Sequence, residues 1–364
     1  MKRTQSQRAG ALVVLFFLTL LSGTRAHAQD WAKANLAKSP RHGEYVTIHE
    51  GNGRSLQAWV VYPESKGKAP VVVLIHEIFG LSDWAREMAD EIAAAGYIVV
   101  EPDLLSGLGP GAGAAWDLQP PPAGRKAHLL QTSSQPPAPT SSNGCAPGPC
   151  LGSEPAHTHS VTGAPGMGCD PLPCSPGRGN PPFPQPQGSG QAGAPYAPAE
   201  PGGTAAFPDQ GAVVRAVSSL PDPQVLADLD AASDFGKHLP SASGKLFVAG
   251  FCWGGGKSFL FATHRHDLSA AFVFYGPPPP AEAMKTITAA VYGFYAGNDA
   301  RITSTVDVTR AAMKAAGKVY EPVVYDGAGH GFMRAGEAPD ASAANAAARQ
   351  AGFRRLLQTL GDVR

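Results

Sequence analysis

No charge of either sign predominates in this sequence. Lysine and arginine total 29, as do aspartate and glutamate. That balance argues against nucleic acid or an anionic surface as a partner, and for a small-molecule enzyme or binding protein. Long apolar runs are scarce as well: beyond the N-terminus no stretch reads as a membrane span. Cysteine is sparse and unevenly placed. Four of the five lie between Ser106 and Ala205, and Cys252 stands apart. The same segment holds 21 of the 35 prolines. No helical or strand periodicity persists there beyond a few residues. A stretch of this composition cannot bury enough apolar surface to offset its ordering entropy, so residues 107–205 are expected to be a mostly disordered insert. In an oxidising compartment Cys145, Cys150, Cys169 and Cys174 could form two disulfides, with three pairings open. A zinc site with His157 and His159 is the weaker alternative, because the cysteine spacing exceeds that of zinc knuckles.

What is present begins with a secretory signal. Met1-Lys2-Arg3 and Arg8 are basic, Ala11 to Leu21 is apolar, and Ala26-His27-Ala28 has the small-x-small form of a cleavage site. Residues 1–28 are therefore expected to be removed by a cut after Ala28. The remainder is expected to be periplasmic or secreted, without stable membrane association. At over three hundred residues, 29–364 is long enough for one large domain or two smaller ones.

Along that chain, strand and helix signals alternate. Tyr45–Ile48 and Leu56–Tyr62 flank Gly51-Asn52-Gly53 and predict a hairpin. Val71–Ile75 is a buried apolar strand, and Trp84, Met88, Ile92 and Ala95 share one face of a helix over 83–95 closed by Gly96. Tyr97–Val100 is the next strand. After the insert come helices from Gln210 to Val217 and from Asp222 to Phe235, then a strand over Lys245–Ala249. Further strands are expected at 270–275, 290–295 and 320–325, with helices at 303–316 and 341–360. Such alternation predicts a mainly parallel sheet covered on both faces, with chemistry at the C-terminal strand ends.

One stretch organises the rest. Gly250-Phe251-Cys252-Trp253-Gly254 stands between a strand and a helix start, the small-x-nucleophile-x-small pattern of a nucleophile elbow with cysteine at its centre. Gly297-Asn298-Asp299 follows the strand at 290–295, and Gly329-His330-Gly331 follows the one at 320–325. Alone, Asp299 would be a helix-start residue and His330 a loop histidine bonded to backbone. Nucleophile, acid, then histidine is the chain order of the α/β-hydrolase triad, which predicts the α/β-hydrolase fold and the catalytic set Cys252, Asp299 and His330. At the end of strand 71–75, His76-Glu77-Ile78-Phe79-Gly80-Leu81 is placed as the oxyanion loop, with the Ile78 and Trp253 N–H groups as donors. His76 is expected to orient that loop. Glu77 beside a thiol implies a role in taking its proton or holding it uncharged.

With these motifs, and with Pro102-Asp103-Leu104 and Gly329-His-Gly-Phe-Met-Arg334, the chain resembles the dienelactone hydrolase family on both sides of the insert. The resemblance implies a cysteine hydrolase of lactones or carboxylic esters, with Glu77 partnered to the resting thiol and Arg334 binding a substrate carboxylate. It implies neither metal nor organic cofactor, and a small ester or lactone as the partner. A second carboxylate-binding arginine of the family falls where this chain has its insert, with Arg125 and Arg178 the arginines there. A broader carboxylesterase or thioesterase, and a catalytically silent binding protein on the same fold, are the alternatives.

Overall fold

A computed structural model of the chain describes residues 29–51, 53–110 and 202–363. The expected signal peptide lies outside the described residues, as do Cys145, Cys150, Cys169, Cys174, Arg125 and Arg178.

Eight strands make one sheet: β1 (Gly43–His49), β2 (Ser55–Val61), β3 (Ala69–Ile75), β4 (Ile98–Pro102), β5 (Ala242–Phe251), β6 (Ala270–Phe274), β7 (Ala290–Ala296) and β8 (Tyr320–Tyr325). Their order is β1-β2-β4-β3-β5-β6-β7-β8. The β1–β2 hairpin is antiparallel, β2 joins β4 antiparallel, and every later neighbour is parallel. This is the α/β-hydrolase architecture, with β3 and β5 at its centre.

The helices are α1 (Asp30–Leu36), α2 (Asp83–Ala94), α3 (Gln210–Ser219), α4 (Asp222–His238), α5 (Trp253–His264), α6 (Ala281–Met284), α7 (Ala300–Thr303), α8 (Val306–Ala315), α9 (Phe332–Ala335) and α10 (Ala343–Val363). Strand β3 is buried along its whole length because both its faces are covered. Val71, Val73 and Ile75 join Val225 and Leu229 of α4 and Phe259 of α5 in one core. Val72 and Leu74 join Trp84, Met88 and Ile92 of α2 and Leu356 and Leu360 of α10 in the other. The period-2 strand pattern and the helical apolar spacing thus meet in two layers around one sheet.

Two local differences from the sequence reading have clear causes. The helix expected over 303–316 starts later, as α8 at Val306, and a break at 304–305 separates it from the short α7 that precedes it. At the break the Thr303 hydroxyl donates to the Ala296 carbonyl at 2.6 Å and that of Thr305 to Ile302 at 2.7 Å. Such side-chain bonds offer the backbone an alternative to a continuous helix. The expected insert is also shorter at both ends, since Ser106 and Gly202 form a β-bridge and Gly203 donates to the Leu105 and Leu108 carbonyls at 3.1 and 3.0 Å. Leu108 is buried in the core. No helix among the described residues is long and apolar enough to cross a membrane.

Candidate active site

The turn from β5 to α5 passes through a single residue, Cys252, at φ 56° and ψ −115°. A side chain in that region carries strain of about 1–3 kcal/mol unless its surroundings hold it there. Here the backbone does so. A Cβ on Gly250 would come 2.1 Å from the Gly254 carbonyl oxygen, and one on Gly254 would come 2.3 Å from that of His76. Strand end, helix start and the loop after β3 therefore press backbone to backbone, and only glycine lets them. Cys252 N–H closes the turn on the Phe274 carbonyl at 3.0 Å.

The partners arrive from two other strand ends. Asp299 follows β7 and begins α7, yet its side chain does not cap that helix. Its buried carboxylate instead lies 2.5 Å from His330 Nδ1. That contact places the ring proton on Nδ1, so Nε2, 3.1 Å from Cys252 Sγ, is left to accept. Both local readings, a helix cap and a backbone-bonded histidine, give way to one chain of contacts from carboxylate to imidazole to sulfur. Tyr275, buried at the end of β6, sets its ring edge-on to His330 with centroids 5.1 Å apart.

The Ile78 and Trp253 N–H groups both reach the Cys252 sulfur and favour its thiolate. The same two residues are the ones the sequence reading expects to supply oxyanion donors. The thiol is nonetheless pushed up to about 11, by burial first and then by the charge of Glu77; Arg301 acts in the opposite sense. The resting sulfur is therefore a protonated thiol at neutral pH.

Glu77 is buried beside it. One oxygen accepts from Arg334 Nε at 2.8 Å and the other from the Tyr275 hydroxyl at 3.2 Å. Burial pushes this carboxyl up, while Arg334, Tyr275 and His330 pull it down. The Arg334 guanidinium also lies 4.9 Å over the Phe79 ring. Arg334 thus stands at the site, but its Nε is engaged by the protein's own carboxylate. His76 is fully buried, with Nδ1 2.8 Å from the Glu77 carbonyl and its ring stacked on Trp253 at 5.8 Å, so it orients the loop.

All seven residues singled out from the sequence converge here: Cys252, Asp299, His330, Glu77, Ile78, Trp253 and Arg334. Three contributors escaped sequence reading. Tyr275 directly follows β6, the strand hydrogen-bonded to β5, so an aromatic at that strand's C-terminal end was the available signal. Arg301 lies two residues beyond Asp299, is exposed, and forms no ion pair among the described residues. Thr204 bonds to the Leu81 N–H of the oxyanion loop at 3.0 Å, a contact across 123 positions that no local pattern signals.

Comparison with known proteins fits this geometry. A 39% identical relative from Methylorubrum extorquens, provisionally named a carboxymethylenebutenolidase, matches over 132 residues, 33% of this chain and 45% of its own length. A similarly named Escherichia coli protein is 35% identical over 153 residues, 39% of this chain and 55% of its own length. The chain thus spans about half the length of the curated relatives it matches. Among solved structures, a provisionally named dienelactone hydrolase from Klebsiella pneumoniae superposes with a TM-score of 0.55 at 21% identity, covering 87% of this chain and 97% of its own. A dienelactone hydrolase-like promiscuous phosphotriesterase from metagenomic libraries reaches 0.55 at 15% identity, covering 89% and 98%. Both share the fold. The Dienelactone hydrolase family profile matches residues 56–135 and 197–364, about two thirds of the sequence, and this chain belongs to that family.

Proposed function

We propose that this protein is an exported hydrolase that opens carboxylic esters or lactones by acyl transfer to Cys252. The observation that carries the reading is the single imidazole bridging Asp299 at 2.5 Å and the Cys252 sulfur at 3.1 Å. As the sulfur attacks the carbonyl carbon, its proton passes to His330 Nε2 and the carbonyl π pair moves onto oxygen. The Ile78 and Trp253 N–H groups, already turned toward the sulfur, receive that oxyanion. Asp299, buried and paired with Nδ1, stabilises the imidazolium. Collapse of the tetrahedral species breaks the bond to the leaving oxygen, which takes the proton from Nε2. His330 then removes a proton from water as water adds to the thioester. The second collapse returns Cys252 as a thiol and releases the acid.

Glu77 has the part of a restraint. Both its oxygens are engaged by Arg334 and Tyr275, and its charge helps to keep the resting thiol protonated. An acidic substrate that draws Arg334 away would leave this carboxylate without its cation, so the restraint on the thiol depends on where Arg334 is engaged. Arg301, in α7 directly after Asp299 and without an ion pair among the described residues, is the second cation offered to the same acidic group. Export rests on the basic, apolar and Ala26-His27-Ala28 segments, and sequencing the N-terminus of the secreted protein tests it.

The function is tested with p-nitrophenyl acetate, a dienelactone and an acyl thioester. Mass spectrometry of the enzyme quenched during turnover should find one acyl group, on Cys252. An acylated protein with the group elsewhere, or none of the three substrates consumed, overturns the reading.

A further inference from the structure

The chain comes back to the fold through Gly202-Gly203-Thr204, and it does so against the oxyanion loop. A Cβ on Gly203 would come 2.8 Å from an Asp103 carboxylate oxygen. That closeness lets Asp103, buried just after β4, grip the returning chain. Its Oδ2 accepts from Thr204 N at 2.7 Å, and its Oδ1 accepts from the Thr204 hydroxyl at 2.8 Å and from Leu105 N at 3.1 Å.

A hydroxyl has one proton, and here the carboxylate takes it. The Thr204 lone pairs therefore face the other way, toward the Leu81 N–H at 3.0 Å. Gly80 confirms how closely the two parts meet: at φ 69°, a Cβ there would sit 2.4 Å from Thr204 Oγ1. At the loop's near end His76 Nδ1 and Gly80 N–H both bind the Glu77 carbonyl, at 2.8 and 3.1 Å. Ile78 thus sits in a turn pinned at its start by His76 and at its exit by Thr204.

We propose that Thr204 is a positioning residue for the oxyanion hole, its hydroxyl holding the exit of loop 76–81 so that the Ile78 N–H stays aimed at the reacting centre. The inference rests on the acyl-transfer reading. It adds that the donor geometry is set by a residue outside both the triad and the loop, where the chain returns from the proline-rich segment. Thr204 acts through Leu81 and the turn, and touches no reacting atom.

The test uses the full chain with Thr204→Val, which keeps the shape and removes the hydroxyl, and Thr204→Ser, which keeps the hydroxyl. Loss of a whole oxyanion donor typically costs on the order of 10²–10³ in kcat, so a displaced one should cost roughly tenfold or more. Thr204→Val should lower kcat on p-nitrophenyl acetate by that factor with KM within about twofold, and Thr204→Ser should restore most of it. Iodoacetamide labelling of Cys252 against pH supplies a readout that needs no turnover. Because the Ile78 N–H favours the thiolate, the labelling profile of Thr204→Val should move to higher pH, and that of Thr204→Ser should not. Equal kcat for wild type and Thr204→Val, or a serine variant as impaired as the valine one, overturns the proposal. So does an unmoved labelling profile in a folded Thr204→Val protein. A wild type that labels as expected but hydrolyses nothing would instead sink the acyl-transfer reading.

Discussion

The elbow at Cys252 and the loop at 76–81 face each other across the same sulfur, yet they are held by different forces. The elbow is fixed by backbone meeting backbone, with glycine at 250 and 254 where any Cβ would collide with a carbonyl. Beyond its start, where the His76 carbonyl packs on Gly254, the loop is held by side chains: Arg334 and Tyr275 on Glu77, Thr204 on Leu81, and its own His76 ring on Trp253. A close-packed backbone turn has one arrangement, so the nucleophile is rigidly presented. A loop tied by ionic and hydroxyl contacts can be released when a competing charge arrives. The site thus pairs a backbone-locked Cys252 with a facing loop and a buried carboxylate that are held largely by side-chain contacts.

The strongest way to break this comparison is at the sulfur itself. Cys252→Ala should cost on the order of 10⁴-fold or more in kcat on an aryl ester, while circular dichroism and melting stay close to wild type. Near-normal turnover would remove the triad assignment altogether. Next in size is the elbow's packing. Gly254→Ala puts a methyl group against the His76 and Ile75 carbonyls, so it should cost about 1–3 kcal/mol or more of stability and most of the activity. An alanine variant with unchanged melting temperature would show that the turn is not backbone-limited.

The loop side should yield more gently. With Glu77→Gln the negative charge beside the thiol is gone and Arg334 is left uncompensated. Both changes favour the thiolate, so the Cys252 thiol, now pushed up to about 11, should fall. The sign is fixed: a lower thiol pKa moves iodoacetamide labelling to lower pH. Superimposable wild-type and variant profiles would take Glu77 out of the control of the nucleophile. Mildest of all should be replacement of residues 111–201 by a short Gly/Ser linker. Gly203 N–H already lies 3.0 Å from the Leu108 carbonyl, so the gap to be closed is small. Loop-closure entropy changes by only about 0.6 kcal/mol per doubling of length. Folding and turnover of p-nitrophenyl acetate should both survive. An insoluble product would place part of the segment in the core. Keeping Gly202 and Thr204 matters, because both are bonded to the fold.

Much of this site was legible before any coordinates. An elbow needs small residues at 250 and 254, a strand before and a helix after, and each of these leaves a mark within a few positions of Cys252. Asp299 and His330 were legible for a related reason, since each stands on a glycine-bearing loop directly after an apolar strand, in the order the fold requires. Glu77 was legible as a carboxylate beside a thiol and the family resemblance supplied Arg334, but neither showed their mutual contact, which spans 257 positions. The resemblance also implied that Arg334 meets a substrate carboxylate, whereas here it meets Glu77 first.

By itself, then, the sequence determined the elements with a short-range cause: the apolar strands, most helices, the glycine-bound turn and the succession of nucleophile, acid and histidine. Only the tertiary structure decided what depends on distance through space. It brought Thr204 to Asp103 across 101 positions and Tyr275 to Glu77 across 198, and it set a short separate helix after Asp299, ending where threonine hydroxyls turn onto nearby carbonyls. It also set the resting state of the sulfur. A cysteine's place in a motif makes it a candidate nucleophile, but burial and a neighbouring carboxylate keep it a thiol, and both exist only once the chain has folded.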